Sequence, residues 1–268
     1  MKNIHLLFLA LLGANSLHAQ HGLPTTAGAY GAGMGNASVT YNNIYSAFGN
    51  QAGLADLKRF AAVAFVEQRY LLPELRTLGV AAALPTRTGT FGLAINHTGD
   101  AVYNEQKIGL SYARKLSNII SVGAQFDYLG TRIAEYGSHA NYTFELGMQA
   151  ALMPKFRIGA HVFSPIRQKI NETDYIPTLL SVGVAYEPSN KFMLTAAAEQ
   201  NFRYPTTIKA GMQYRMNDVF SLRAGFGTGD VRTSFGVGLN LKPIQIDIAA
   251  QYHRLLGFSP TISFVYGL

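Results

Sequence analysis

Ser121-Val122-Gly123-Ala124-Gln125-Phe126-Asp127-Tyr128 alternates small or polar residues with apolar ones along its whole length. A β-strand sends successive side chains to opposite faces, whereas an amphipathic helix repeats its apolar residues every three or four positions. The stretch therefore reads as a strand with one apolar and one polar face. The same period of two returns at 143–150, 157–162, 209–214, 221–226 and 245–252. After the first twenty residues no apolar run is long enough for a membrane-spanning helix. The dominant element is the strand.

Working outward from these segments, turn signals divide 59–268 into fourteen strands, from one centred near Val63 to one centred near Phe264. A membrane strand needs about 9–11 residues, so short connections remain. The connections alternate in kind. One set is tight, at 86–89, 115–118, 153–155, 188–191, 215–218 and 241–243. The other reads as longer and more polar, at 134–141, 167–177, 201–206 and 253–259. Outer-membrane barrels have an even strand count, short turns at one rim and longer loops at the other. With fourteen strands, all the tight turns and both chain ends fall on one rim.

The polarity of the faces decides between a soluble and a membrane barrel. A soluble barrel points its apolar side chains inward. Here one face carries Phe126, Leu146, Val182, Met212, Phe235 and Ile248, while the other mixes Gly, Ala, Ser and Thr with single charges. Small residues with charges make a poor core but a good polar lumen, so lipid lies outside. Tyr112, Tyr128, Tyr186, Tyr214, Tyr252 and Tyr266 recur near strand ends, as in an interfacial aromatic girdle. The expected fold is an all-β transmembrane antiparallel barrel of about fourteen strands in the bacterial outer membrane, with membrane lipid as its surroundings.

Composition agrees. The chain of 268 residues is 48% hydrophobic and 14% charged, with 15 Tyr and 16 Phe, which excludes disorder. It has no cysteine, so disulfides, thiolate metal sites and cysteine nucleophiles are excluded. The formal charge is +7, but Lys and Arg are scattered singly, without a cluster that could follow phosphates. Nucleic acid is not an expected partner. Met1-Lys2-Asn3 followed by apolar Ile4 to Leu12 and Leu17-His18-Ala19 predicts a signal peptide over 1–19, too short in its apolar run to anchor the chain. Residues 20–58 break the alternation and are expected to form a plug or hatch, leaving 59–268 as the barrel.

Within 20–58, Ala27-Gly28-Ala29-Tyr30-Gly31-Ala32-Gly33-Met34-Gly35-Asn36 is glycine-rich. A dinucleotide loop is excluded, because no buried strand precedes it and no acidic ribose ligand follows in a βαβ setting. The glycines instead let backbone pack closely inside a barrel. The run Gly33-Met34-Gly35-Asn36-Ala37-Ser38-Val39, followed by Asn50-Gln51-Ala52-Gly53-Leu54-Ala55, resembles the start of the PorV/PorQ-like proteins of Bacteroidetes, within the wider FadL-like group of outer-membrane barrels. Gln51 stands where that pattern usually has proline. The resemblance implies a fourteen-stranded barrel with its N-terminal segment in the lumen, and singles out Gly33, Met34, Gly35, Asn36, Asn50, Ala52, Gly53 and Leu54. It also implies one of two roles: an accessory of type IX protein secretion, bound to a secretion-system protein, or a carrier of small hydrophobic ligands. The first is the main expectation and the second the alternative.

Lumen parity selects Lys107, Gln125, Asp127, Glu145, Arg157, His161, Glu199, Lys209, Arg223 and Asp247 as inward polar residues. They suit a binding wall or a mutually satisfying charge network, since buried charges need partners. A barrel hydrolase would need a serine activated by a histidine. His161 and Ser164, three apart, fall on opposite faces of a strand. The seven histidines are isolated from one another, with no pair at metal-ligand spacing. No enzyme, metal or cofactor is expected.

Overall fold

The computed structural model describes residues 26–166, 175–201, 204–229 and 232–267. The predicted signal peptide lies outside them, as does most of the predicted loop at 167–177. Fourteen strands follow one another: β1 (Ala61–Gln68), β2 (Arg76–Pro85), β3 (Thr90–Gly99), β4 (Tyr103–Lys115), β5 (Ile120–Ile133), β6 (Gly137–Met153), β7 (Phe156–Phe163), β8 (Leu179–Ser189), β9 (Phe192–Asn201), β10 (Thr207–Arg215), β11 (Phe220–Gly227), β12 (Arg232–Asn240), β13 (Ile244–His253) and β14 (Gly257–Tyr266). Each pairs antiparallel with its neighbours in sequence, and β14 closes on β1 from Ala62↔Tyr266 to Glu67↔Thr261. Closure removes the sheet edges that lipid cannot hydrate.

The two faces fall as the alternation predicts. Along β5, Ser121, Gln125 and Asp127 are buried inward, while Phe126 is 57% exposed. Phe235, Ile248 and Phe264 are exposed on the outer surface in the same way. Outward aromatics pair across strands, as Phe91 with Tyr112 at 4.9 Å and Tyr252 with Phe258 at 4.9 Å between ring centroids.

Two of the predicted loops are corrected. β5 and β6 remain paired up to Ile133↔Gly137, and β13 and β14 up to His253↔Gly257, so 137–141 and 257–259 are strand. Each of these strands, β6 and β14, begins on a positive-φ glycine, Gly137 or Gly257, whose turn signal makes the adjoining strand end read as loop. Register irregularities occur between Ala151 and Met153 and between Tyr186 and Ser189, both at the rim of tight turns.

The N-terminal segment lies inside the barrel. A short helix, α1 (Gly28–Gly33), is wholly buried, and two 3₁₀ turns follow at Ile44–Phe48 and Gln51–Asp56. Asn43 and Asn50 cap these turns, their side chains accepting from Tyr45 N and Ala52 N. The segment starts high in the lumen, where Thr26 Oγ1 donates to Glu67 Oε2 at 2.7 Å, and ends at the tight-turn rim, where Lys115 meets Asp56 at 2.6 Å. Glycines on the wall admit its backbone. A Cβ at Gly211 would come within 2.5 Å of Met34 O, one at Gly159 within 2.5 Å of Val39 O, and one at Gly123 within 2.5 Å of Ala52 N.

Candidate functional site

The wall around the N-terminal segment has two characters. Toward β1–β3 and β14 it is mainly apolar. Val63, Phe65 and Val265 point inward and join Met34, Ile44, Tyr45, Phe48 and Leu54 in one buried cluster. Phe48 meets Phe65 edge-on at 5.1 Å, and Tyr30 stacks on Tyr45 at 5.2 Å. This core departs from the small and polar inner face that parity predicts, because the segment packed over these strands supplies an apolar partner.

The rest of the wall is ionic. Arg223 Nη1 binds Asp247 Oδ1 at 2.7 Å, and its Nε donates to Gln213 Oε1 at 2.9 Å. The guanidinium lies over the Tyr30 ring at 4.3 Å. Tyr45 donates its hydroxyl to Asp247 Oδ2 at 2.7 Å, tying segment to wall. Burial and the neighbouring Asp247 hold the Tyr45 phenol well above its usual pKa.

A second centre gathers on β4–β7. Lys107 binds Glu145 Oε1 and lies 3.7 Å from Asp127, to which Gln125 donates at 2.8 Å. Glu145 Oε2 accepts from Gln51 Nε2 at 2.6 Å and faces His161 Nε2 at 2.8 Å. Gln51, the residue that departs from the PorV/PorQ-like pattern to which the N-terminal run is similar, is a fully buried donor to this carboxylate. That departure was the sequence signal for a residue not singled out.

The third centre lies on β8–β10, where Glu199 accepts from Lys209 at 2.8 Å and from Ser181 at 3.2 Å. Arg157 donates to Thr40 O at 2.8 Å and pairs with Glu187 at 3.2 Å. All ten inward polar residues therefore face the lumen, but in three networks and one separate contact.

The motif residues are docking points. Gly35 has φ +63°, donates its N–H to Ser234 Oγ at 3.1 Å, and would place a Cβ 2.6 Å from Ala210 O, so only glycine fits. Asn36 N donates to Gly31 O at 2.8 Å, turning the chain after Gly33 and the fully buried Met34. Asn50 Nδ2 donates to Val39 O at 2.7 Å and lies within 3.2 Å of the carbonyls of Met148 and Ala160. Ala52 and Leu54 are fully buried against β5 and the apolar cluster, and Gly53 packs under Ser46.

Beside the segment, toward the rim opposite the tight turns, lies a cavity of about 240 Å³. Its floor is Val39, Phe48 and Asn50. Along one wall Glu145, His161, Ser181, Glu199 and Lys209 form a polar arc, and Phe163, Leu179 and Ala197 add apolar surface. Ser181 pairs with His161 across β7 and β8, but its hydroxyl donates to Glu199. Ser164 lies beyond the end of β7, its hydroxyl donating to Ile166 O at 3.4 Å. Neither hydroxyl is thus directed to His161, and among the described residues no group of three or more His, Asp or Glu could hold a metal.

No protein-family model matches the chain, and no curated protein matches it by sequence. Solved structures do match in fold. The Ralstonia pickettii toluene transporter TbuX is similar at TM-score 0.74 and 13% identity, over 91% of this chain and 99% of that one. The P. putida toluene transporter TodX gives 0.73 and 11%, over 91% and 99%. A Pseudomonas aeruginosa FadL homologue gives 0.70 and 15%, over 93% and 100%. The chain has the fold of FadL-type outer-membrane barrels, a closed antiparallel barrel of fourteen strands.

Proposed function

We propose that this protein resides in the bacterial outer membrane and admits small, largely apolar molecules, without catalysing a reaction. Residues 26–57 act as a plug. The observation that carries this reading is the cavity beside the plug. Its volume of about 240 Å³ exceeds the roughly 150 Å³ of an engineered cavity that holds benzene. It is below the usual range of drug-sized pockets, about 300–1,000 Å³. A one-ring compound fits such a space. The likeness in fold to two toluene transporters supports the same size of cargo.

A barrel of this strand number would leave a channel if nothing filled it. Intact protein in planar bilayers should therefore conduct little, and a variant lacking residues 26–50 should conduct steadily once folded. A large open pore in the intact protein would overturn the plug. For transport, vesicles carrying the intact protein should take up radiolabelled toluene faster than empty vesicles.

One observation favours a second reading, an accessory of type IX secretion of the PorV/PorQ-like kind. Among the described residues the ladders run unbroken at mid-height, and both irregularities sit at the tight-turn rim. A wall without a lateral break suits a protein that works through its rim. Loss of the gene should then deplete proteins from the cell surface while uptake of apolar nutrients stays normal.

A further inference from the structure

We propose that the cavity binds a one-ring aromatic compound bearing a single uncharged hydroxyl, a phenol rather than a bare hydrocarbon or a carboxylate. The inference rests on the uptake reading above and assigns its ligand class. It comes from the wiring of the polar arc. Glu145 is already served by Lys107, Gln51 and His161. Glu199 accepts one hydrogen bond on each oxygen, from Lys209 on Oε1 and Ser181 on Oε2. A carboxylate has about four acceptor positions, and an ammonium has three donors. Glu199 and Lys209 therefore keep spare acceptor and donor capacity side by side. Their side chains are 31% and 19% exposed, and both line the cavity.

Three ligand chemistries can be compared at this point. A hydrocarbon would displace water from Glu199, Lys209 and His161 and return no hydrogen bond, which costs binding energy. A carboxylate would meet Lys209 already paired with Glu199, Arg69 already paired with Glu67 and Arg232 already donating to Tyr70 Oη, and it would lose its hydration. A hydroxyl is donor and acceptor at once, so it can give to Glu199 and take from Lys209. Its ring then meets Val39, Phe163, Leu179 and Ala197.

The test compares p-cresol, toluene and p-toluate, which share one ring and differ in the polar group. Full-length protein in detergent micelles is titrated with each, and binding is read by ligand-observed NMR. The unaltered protein should bind p-cresol about tenfold or more tightly than either of the others, because a site wired for a hydroxyl discriminates against its absence. The double variant E199L/K209M should weaken p-cresol and tighten toluene, since the pair no longer has to be desolvated, so that the preference for p-cresol is lost. Ala197→Phe should exclude all three by filling the cavity. Equal affinity for p-cresol and toluene in the unaltered protein would overturn the hydroxyl assignment and leave the uptake reading standing. Tighter binding of p-toluate would also overturn it. Failure of every ligand to bind would overturn both. The three-ligand comparison needs no variant, so it decides even if the double substitution prevents folding.

Discussion

The lumen is held on one side by oil and on the other by salt. Against β1–β3 and β14 the N-terminal segment buries Ile44, Phe48 and Leu54 on Val63, Phe65 and Val265. Against the remaining strands it meets Arg223–Asp247, Lys107–Glu145–Asp127 and Arg157. The two halves stabilise the same segment by different physics. Apolar packing is non-directional and scales with area, so it supplies adhesion. Buried ion pairs recover little beyond their desolvation cost, yet they are severe when half-broken. The polar half therefore fixes where the segment sits more than how tightly. It is also the half that lines the cavity.

The difference between the halves can be broken by substitution. The largest effect is expected at Arg223→Met, which leaves Asp247 buried without its cation and should cost about 3–5 kcal/mol. Urea unfolding in lipid vesicles measures it. The double variant R223M/D247L should regain most of that loss, and no recovery would mean the pair itself is strongly stabilising. Next is Phe65→Ala in the apolar half, expected to cost about 3 kcal/mol by emptying packed space. Phe65→Leu should recover part of it in proportion to volume, a response the ionic half should not show.

The smallest effect is at Tyr45→Phe, where one hydrogen bond to Asp247 is lost, about 1 kcal/mol near neutral pH. This variant also sharpens the comparison through pH. An unfolded chain releases the tyrosine proton near pH 10.0, while burial and Asp247 make the folded chain keep it well above that. Stability thus holds up to about pH 10 and falls as pH rises further. Tyr45→Phe should reduce that alkaline loss, measured as unfolding midpoint against pH. An unchanged alkaline slope would remove Tyr45 from the explanation.

Much of this was readable in the residues. The alternation at 121–128 placed Gln125 and Asp127 inward and Phe126 outward, because a strand leaves a side chain no third direction. The ten inward polar residues followed from parity alone. Their grouping did not, since parity gives a face and closure of the sheet decides which side chains meet. The apolar core was hidden for the same reason. Val63, Phe65 and Val265 sit on the inner parity, where lipid-facing logic expects small or polar residues, and only the segment packed over them explains their size. The loops at 134–141 and 253–259 were overestimated because strand ends near the rim carry the composition of turns. The cavity is a gap between elements, and no local pattern encodes a gap.

The place where the sheet meets itself carries a mechanical consequence. β1 and β14 join along Ala62↔Tyr266 to Glu67↔Thr261, and the N-terminal segment holds both sides of that join from within. Thr26 holds Glu67 of β1, and Ala29 N donates to Ser263 of β14 at 2.7 Å. The segment is thus a clasp across the seam. Withdrawing it releases both strands of the join at once, so whatever loosens the occupant of the lumen also softens the seam where the first and last strands meet.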